Sequence, residues 1–233
     1  MEKNSINHIL FDFNSIIDTD IGVALLMSAE YNNPNIVNPK VVGKTIEDYK
    51  ILMINRRYIN PLMMFLNSGY RNSADELYME LTMTNPDVYK KVLNMSIPTA
   101  LFDLLKQCQT NASFEASVLC WNTPQADYIK SILPNADIII REENKPVDVE
   151  KYDTIMLKFP YDMGTFVSGT QEMTGKNIYI CKYRCNMNPE DTSKLNITNA
   201  IKLYSLNANE IYVIDVYADA QLGNARKEEI NNG

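Results

Sequence analysis

Residues 9–20 read ILFDFNSIIDTD. Ile9, Leu10 and Phe11 form a short apolar run of the kind that makes a buried strand, and the run ends on one carboxylate, Asp12. Two residues later, where a second acid would complete a reactive pair, stands Asn14, whose amide has no titratable proton. A lone acid at a strand end with an amide beside it poses the question that the rest of the chain must answer.

Working outward, apolar runs rich in β-branched and aromatic residues predict strands over 8–13, 117–121, 137–140, 154–158, 177–183 and 210–216. Helical patterns stand between several of them. Residues 123–133 (TPQADYIKSIL) open on Thr123 as a capping residue, with Pro124 where a missing N–H costs nothing. Ala126, Ile129, Ile132 and Leu133 share one face. Residues 196–206 (NITNAIKLYSL) repeat the pattern through Ile197, Ala200, Ile201 and Tyr204. Strand, helix, strand in succession predicts an α/β fold: an open, mainly parallel sheet with right-handed crossovers and helices on both faces.

Between residues 21 and 109 the texture changes to amphipathic helical stretches broken at Asn-Pro, Ser-Gly and Ile-Pro, among them ADELYMEL, PDVYKKVL and PTALFDLLKQC. The predicted organisation is a core of 1–20 with 110–233 and a helical insertion over 21–109. The Met63–Met64 pair reads as core filler. Residues 141–150 (REENKPVDVE) read as a polar connector and 162–176 as an exposed loop or hairpin.

The totals narrow the function. A net charge of −7 with no basic run argues against a large phosphate-backbone footprint, so no nucleic-acid partner is expected. No apolar run approaches the roughly 18–20 residues that span a bilayer, and the start shows no basic segment followed by an apolar block. The expectation is a cytoplasmic protein, or one carried within a phage particle. Cys120 and Cys181 lie in apolar strand-like runs, where reduced thiols are usual. The Cys181-x3-Cys185 spacing without histidine company is a weak zinc signal. His8 is the single histidine, which leaves histidine-based triads without material. The 27 asparagines against 8 glycines point to an AT-rich genome, such as a low-GC bacterium or its phage.

In an open parallel sheet, reactive groups collect where strands end. Asp12 ends the first strand, Asn122 and Thr123 follow the second, and Asp215 ends the last with Asp219 four residues on. If the first and last strands are neighbours, Asp12 and Asp215 make an acidic pocket for a hard cation such as Mg2+.

These residues carry a resemblance. FDFNSIIDTD resembles the first motif of haloacid-dehalogenase-like (HAD) hydrolases, an aspartate nucleophile at a strand end followed by x-Asp and a small-Thr-aliphatic turn. VLCWNT resembles their second motif, Lys194 matches the placement of the family lysine, and IYVIDVYADAQLGNARK resembles the final acidic motif. The helical stretch after the first strand sits where this family inserts a cap. The resemblance implies a Rossmannoid core and an Asp12 nucleophile that forms an aspartyl-phosphate. It gives the Thr123 hydroxyl or Asn122 amide to the phosphoryl oxygens, Ser15 to the turn beside them and Lys194 to charge neutralisation. Asp12, Asp215 and Asp219 would surround Mg2+, and the substrate would be a small phosphorylated molecule, a nucleotide or sugar phosphate.

This sequence also departs from the pattern. Asn14 replaces the family's second aspartate, which protonates the leaving group and later activates water, help typically worth about 10²- to 10⁴-fold. The turn is one residue shorter, and Ser15-Ile16 replaces Gly-Thr, which narrows the approach to the phosphate. The same side chains also have structural uses, as loop caps for Asp12 and Asp215 and as turn or cap residues for Asn14 and Thr123. Asp18 and Asp20 read as the acidic start of a helix. Two classes of function follow: a phosphohydrolase or phosphotransfer enzyme with impaired acid–base chemistry, or a catalytically silent domain kept for assembly with protein partners, for example in a phage particle.

Overall fold

The strand that carries Asp12 spans Asn7–Asp12 (β1) and lies inside a seven-stranded sheet. The computed structural model describes residues 6–31, 33–54, 62–142, 145, 147–158, 177–182, 210–215 and 226–227. After β1 the chain forms β2 (Ile17–Asp18) and β3 (Ile97–Pro98), which pair only with each other. The large sheet is completed by β4 (Phe114–Cys120), β5 (Asp137–Ile140), β6 (Thr154–Lys158), β7 (Asn177–Lys182), β8 (Glu210–Asp215) and β9 (Arg226–Lys227). Its order is β5-β4-β1-β6-β7-β8-β9, every pairing parallel except β8 with β9.

The chain divides into two compact units, one of Met1–Ile16 with Pro98–Gly233 and one of Ile17–Ile97. Residues 98–109, which the sequence reading assigns to the insertion, belong to the first unit, and so do their helical residues. The sheet unit holds a one-turn helix α1 (Phe13–Ile16). The helical unit contributes α2 (Thr19–Glu30), α3 (Ile46–Ile54), α4 (Leu62–Phe65), α5 (Ala74–Met79) and α6 (Pro86–Met95). The chain then returns to the sheet unit with α7 (Ala100–Thr110) and α8 (Thr123–Ile132). Among the described residues no helix is long and apolar enough to cross a membrane.

In the sheet unit, every residue of β6 is buried, as are the last four of β1 and of β4. Successive strand residues point to opposite faces, so these strands are buried on both, which is why they read as continuous apolar runs rather than alternating ones. Leu10, Phe11, Val118, Leu119, Ile155 and Met156 form the centre of this core. The Phe13 ring meets Tyr128 edge-on at 6.3 Å between centroids. The helix after β4 begins at Thr123 as expected, but its cap is Asn122, whose Oδ1 accepts the Gln125 N–H at 3.0 Å. Thr123 is the first helical residue instead, with Pro124 behind it. The helical pattern at 196–206 lies outside the described residues.

In the helical unit, Asp18 caps α2 by accepting the Asp20 and Ile21 N–H groups at 3.1 and 3.3 Å, in line with the acidic start read from the sequence. Asp20 is fully buried and accepts the Tyr78 hydroxyl at 3.2 Å. Gly22 is where α2 meets α6: a Cβ there would run into Ser96 Oγ and the Val92 carbonyl, closer than real Cβ atoms approach. The Ser96 hydroxyl is held in place by donating to Val92 O at 2.8 Å. Gly22→Ala therefore forces the two helices apart. The expected cost is about 1–3 kcal/mol, read as a lower urea midpoint, and a variant as stable as the parent would contradict this contact.

Candidate active site at the carboxyl edge of the sheet

Register sets Asp12 beside Leu119 on β4, so the chain leaving β4 through Cys120 and Trp121 passes next to the carboxylate. Asp12 is fully buried. Its Oδ1 accepts the Asn14 backbone N–H at 2.9 Å, and its Oδ2 accepts the Trp121 indole N–H at 2.6 Å. Below it, the Ser15 hydroxyl donates to the Asp12 carbonyl at 2.7 Å, and Thr99 at the start of α7 donates to the Ser15 carbonyl at 2.7 Å. A buried carboxylate is tolerated only when such donors replace water. Here they come from the turn after β1 and the end of β4.

The backbone at Trp121 is itself held. The Trp121 backbone N–H donates to Gln125 Oε1 at 2.7 Å while the Gln125 backbone N–H donates to Asn122 Oδ1, two bonds that close the start of α8 much as a capping box does. The Arg141 guanidinium stacks over the Trp121 ring at 4.5 Å, and the Arg141 backbone N–H donates to the Cys120 carbonyl at 2.9 Å, so the residue after β5 delivers a cation to a face of the indole. On the far side of β1, β6 ends in Lys158, which is only 4 % exposed. A buried ammonium so close to the sheet edge requires compensating partners. Burial, followed by the Asp12 charge, pushes the Cys120 thiol far above its ordinary value, with Lys130 opposing weakly.

The sequence-predicted residues thus receive different placements. Asp12, Asn14, Ser15, Asn122 and Thr123 come together at one edge. Asn14 contributes its backbone N–H to Asp12. Ser15 is fully buried with its hydroxyl spent on the backbone, and the Asn122 carbonyl oxygen is spent on its helix. Thr123 is exposed at the first turn of α8. Lys194 and Asp219 lie outside the described residues.

The expected pairing of Asp12 with Asp215 is corrected by the strand order. Asp215 ends β8, level with Lys182 of β7, and both β6 and β7 stand between β8 and β1. Three inter-strand steps of about 4.8 Å put the two strands about 14 Å apart. Two aspartates cannot both ligate one ion across that span with metal–oxygen distances of about 2.1 Å. Among the described residues no group of three or more His, Cys, Asp or Glu side chains is arranged to hold a metal.

Sequence reasoning missed Trp121, Arg141 and Lys158. The signal for Lys158 was present: TIMLK is an apolar strand ending on one charge, the same pattern that singles out Asp12. Trp121 offered only its place at the end of a predicted strand, and nothing in the sequence pairs its indole N–H with Asp12.

Comparison with protein-family models, with curated proteins and with solved structures finds no match to this chain. The fold defines its class: an α/β protein with a mostly parallel sheet and a helical unit inserted in the chain after the first strand.

Trp121→Phe keeps the ring but removes the donor to a buried carboxylate. It should lower stability by about 1–3 kcal/mol in urea unfolding, and a neutral effect would show that the bond is dispensable. Because the thiolate, not the thiol, reacts, Cys120 should stay unmodified by iodoacetamide at neutral pH until the protein is unfolded, as mapped by mass spectrometry.

Proposed function

We propose that the sheet unit is a HAD-like, Rossmannoid domain that binds a small phosphorylated molecule, a nucleotide or sugar phosphate, at the edge where Asp12 ends β1. The observation that carries this reading is that β1 lies between β4 and β6, which flanks Asp12 with Asn122 and Thr123 on one side and Lys158 on the other. Taken in chain order, the six parallel strands run third, second, first, fourth, fifth, sixth, the doubly wound order in which ligands sit beyond the strand ends. The helical unit enters the chain at Ile17, directly after α1, where the HAD family carries a cap.

In this reading Asp12 is the nucleophile, oriented by the Asn14 and Trp121 N–H groups. Repulsion between its carboxylate and the phosphoryl group is relieved by Lys158 and Arg141, cations that later sequence positions were expected to supply. The exposed Thr123 hydroxyl and the start of α8 are suited to phosphoryl oxygens. Attack would transfer the phosphoryl group to Asp12. The leaving oxygen would take its proton from water, since the Asn14 amide has none to give, and turnover is therefore slow.

The fit of Mg2+ is poor among the described residues. Of the three carboxylates expected to surround it, Asp12 stands at this position, Asp215 ends β8 three strand steps away and Asp219 lies outside the described residues, while β6 ends in a lysine. No step is routed through the metal.

A second reading is favoured by one observation: Asp12 is fully buried with both carboxylate oxygens already accepting N–H groups. That arrangement suits a catalytically silent domain in which the acid is a strand-end tie and the protein serves assembly with other proteins, for example in a phage particle.

One assay separates the two. Hydrolysis of an aryl phosphate, with and without Mg2+, should be slow but measurable for the native protein. It should be abolished in Asp12→Asn and raised about 10²- to 10⁴-fold in Asn14→Asp. Activity seen only in Asn14→Asp would support the silent domain. None in any variant, together with large assemblies in light scattering, would overturn the enzymatic reading.

A further inference from the structure

One strand of the large sheet has an open side. β5 (Asp137–Ile140) stands last at its end of the strand order, and among the described residues no strand pairs with its outer side. The Arg141 backbone N–H donates to the Cys120 carbonyl, so every second residue back from there, Ile139 and Asp137, turns its N–H and C=O inward to β4. Ile138 and Ile140 therefore point theirs outward.

Unpaired backbone groups on a strand edge are a template for another strand, and proteins usually blunt them with lysine, proline or a bulge. Residues 138–140 are isoleucines instead, in regular register with β4, and only the strand's length of four residues limits it. Apolar side chains also stand in water here. Ile140 is 42 % exposed, and Ile132, the last residue of the α8 helix that packs against β5, is 38 % exposed.

The spacing of charge along this edge selects its occupant. Asp137 is exposed at the start of β5 and Arg141 follows its end, with Ile139 midway between them. An antiparallel partner centred on Ile139 sets Ile138 opposite Ile140 and Asp137 opposite Arg141, and for a second copy of β5 this holds at both ends at once. The outward-facing Ile138 and Ile140 then exchange both their hydrogen bonds with the partner, while Ile139 meets its own copy in the closer, non-bonded kind of pair. Opposite charges facing across strands favour that register; a level parallel pairing would set Asp137 against Asp137. Both charges have capacity to spare. Asp137 Oδ2 takes the Ser117 hydroxyl at 2.5 Å and leaves Oδ1, and the Arg141 guanidinium, stacked on Trp121, has no carboxylate partner among the described residues.

We infer that the chain forms a homodimer by antiparallel β5–β5 pairing about a two-fold axis at Ile139, which joins two sheets into one. Such a contact uses the same patch on both copies and closes at two. It rests on the sheet edge and not on the reading of the Asp12 site.

Sedimentation velocity of the full chain checks the dimer. Between about 1 and about 200 μM the protein is expected to pass from monomer to dimer. Ile140→Pro removes an N–H that points away from β4, so it spares the ladder of the fold and should weaken the dimer at least about tenfold. Ile140→Lys, at an exposed position, should do the same, and circular dichroism establishes that the variants fold. Cross-linking reads the register. Under mild oxidation Ile139→Cys should form an intermolecular disulfide at least about tenfold faster than Ile138→Cys, since facing Cα atoms about 4.5 Å apart suit one. A monomer throughout the range, a dimer that the folded variants leave unchanged, or cross-linking no faster at 139 than at 138 would overturn the inference.

Discussion

The hydrogen bond from the Trp121 indole to the Asp12 carboxylate ties the ends of two neighbouring parallel strands, and the carboxyl edge is organised around it. A fully buried carboxylate is stable in this place only because an N–H from its own turn and one from the next strand take over from water. The Trp121 backbone N–H is held in turn by Gln125, and the Arg141 guanidinium stacks on the indole ring. The acid, the helix start and a cation are thereby fixed relative to one another before any ligand arrives.

That organisation explains both the promise and the weakness of the site. Charge of both signs is concentrated in a region of low exposure, where electrostatic interactions are strong. Yet the donors that stabilise Asp12 also draw on the oxygens a nucleophile would use, and Asn14 offers no proton. In the proposed reading, the edge is better equipped to hold an anion than to turn one over. At the opposite edge of the sheet the design differs: Asp137, Glu115, His8 and Lys151 are spread around a cavity. Both features follow from the parallel sheet, which gathers all strand starts on one side and all strand ends on the other.

Much of the sheet was legible because buried parallel strands advertise themselves as continuous apolar runs. The strands at 137–140 and 154–158 have the predicted limits, and those predicted over 8–13 and 117–121 differ by one to three residues at their ends. The capping residue of α8 was misplaced by one, since Asn and Thr are both good caps and only the hydrogen bond to Gln125 distinguishes them. The helical stretch PTALFDLLKQC could not be assigned to a unit from its pattern, because an amphipathic face does not say which core it covers.

By itself the sequence determined the α/β class, the position of Asp12 at a strand end and the absence of an acid at position 14, because these depend on local periodicity and residue identity. Only the tertiary structure decided which strands are neighbours. It set Lys158 beside β1, carried Asp215 two strands further out and brought the Trp121 N–H onto Asp12. Strand order is a property of long-range pairing, in which similar apolar strands compete for the same places, and no short stretch of chain encodes the outcome.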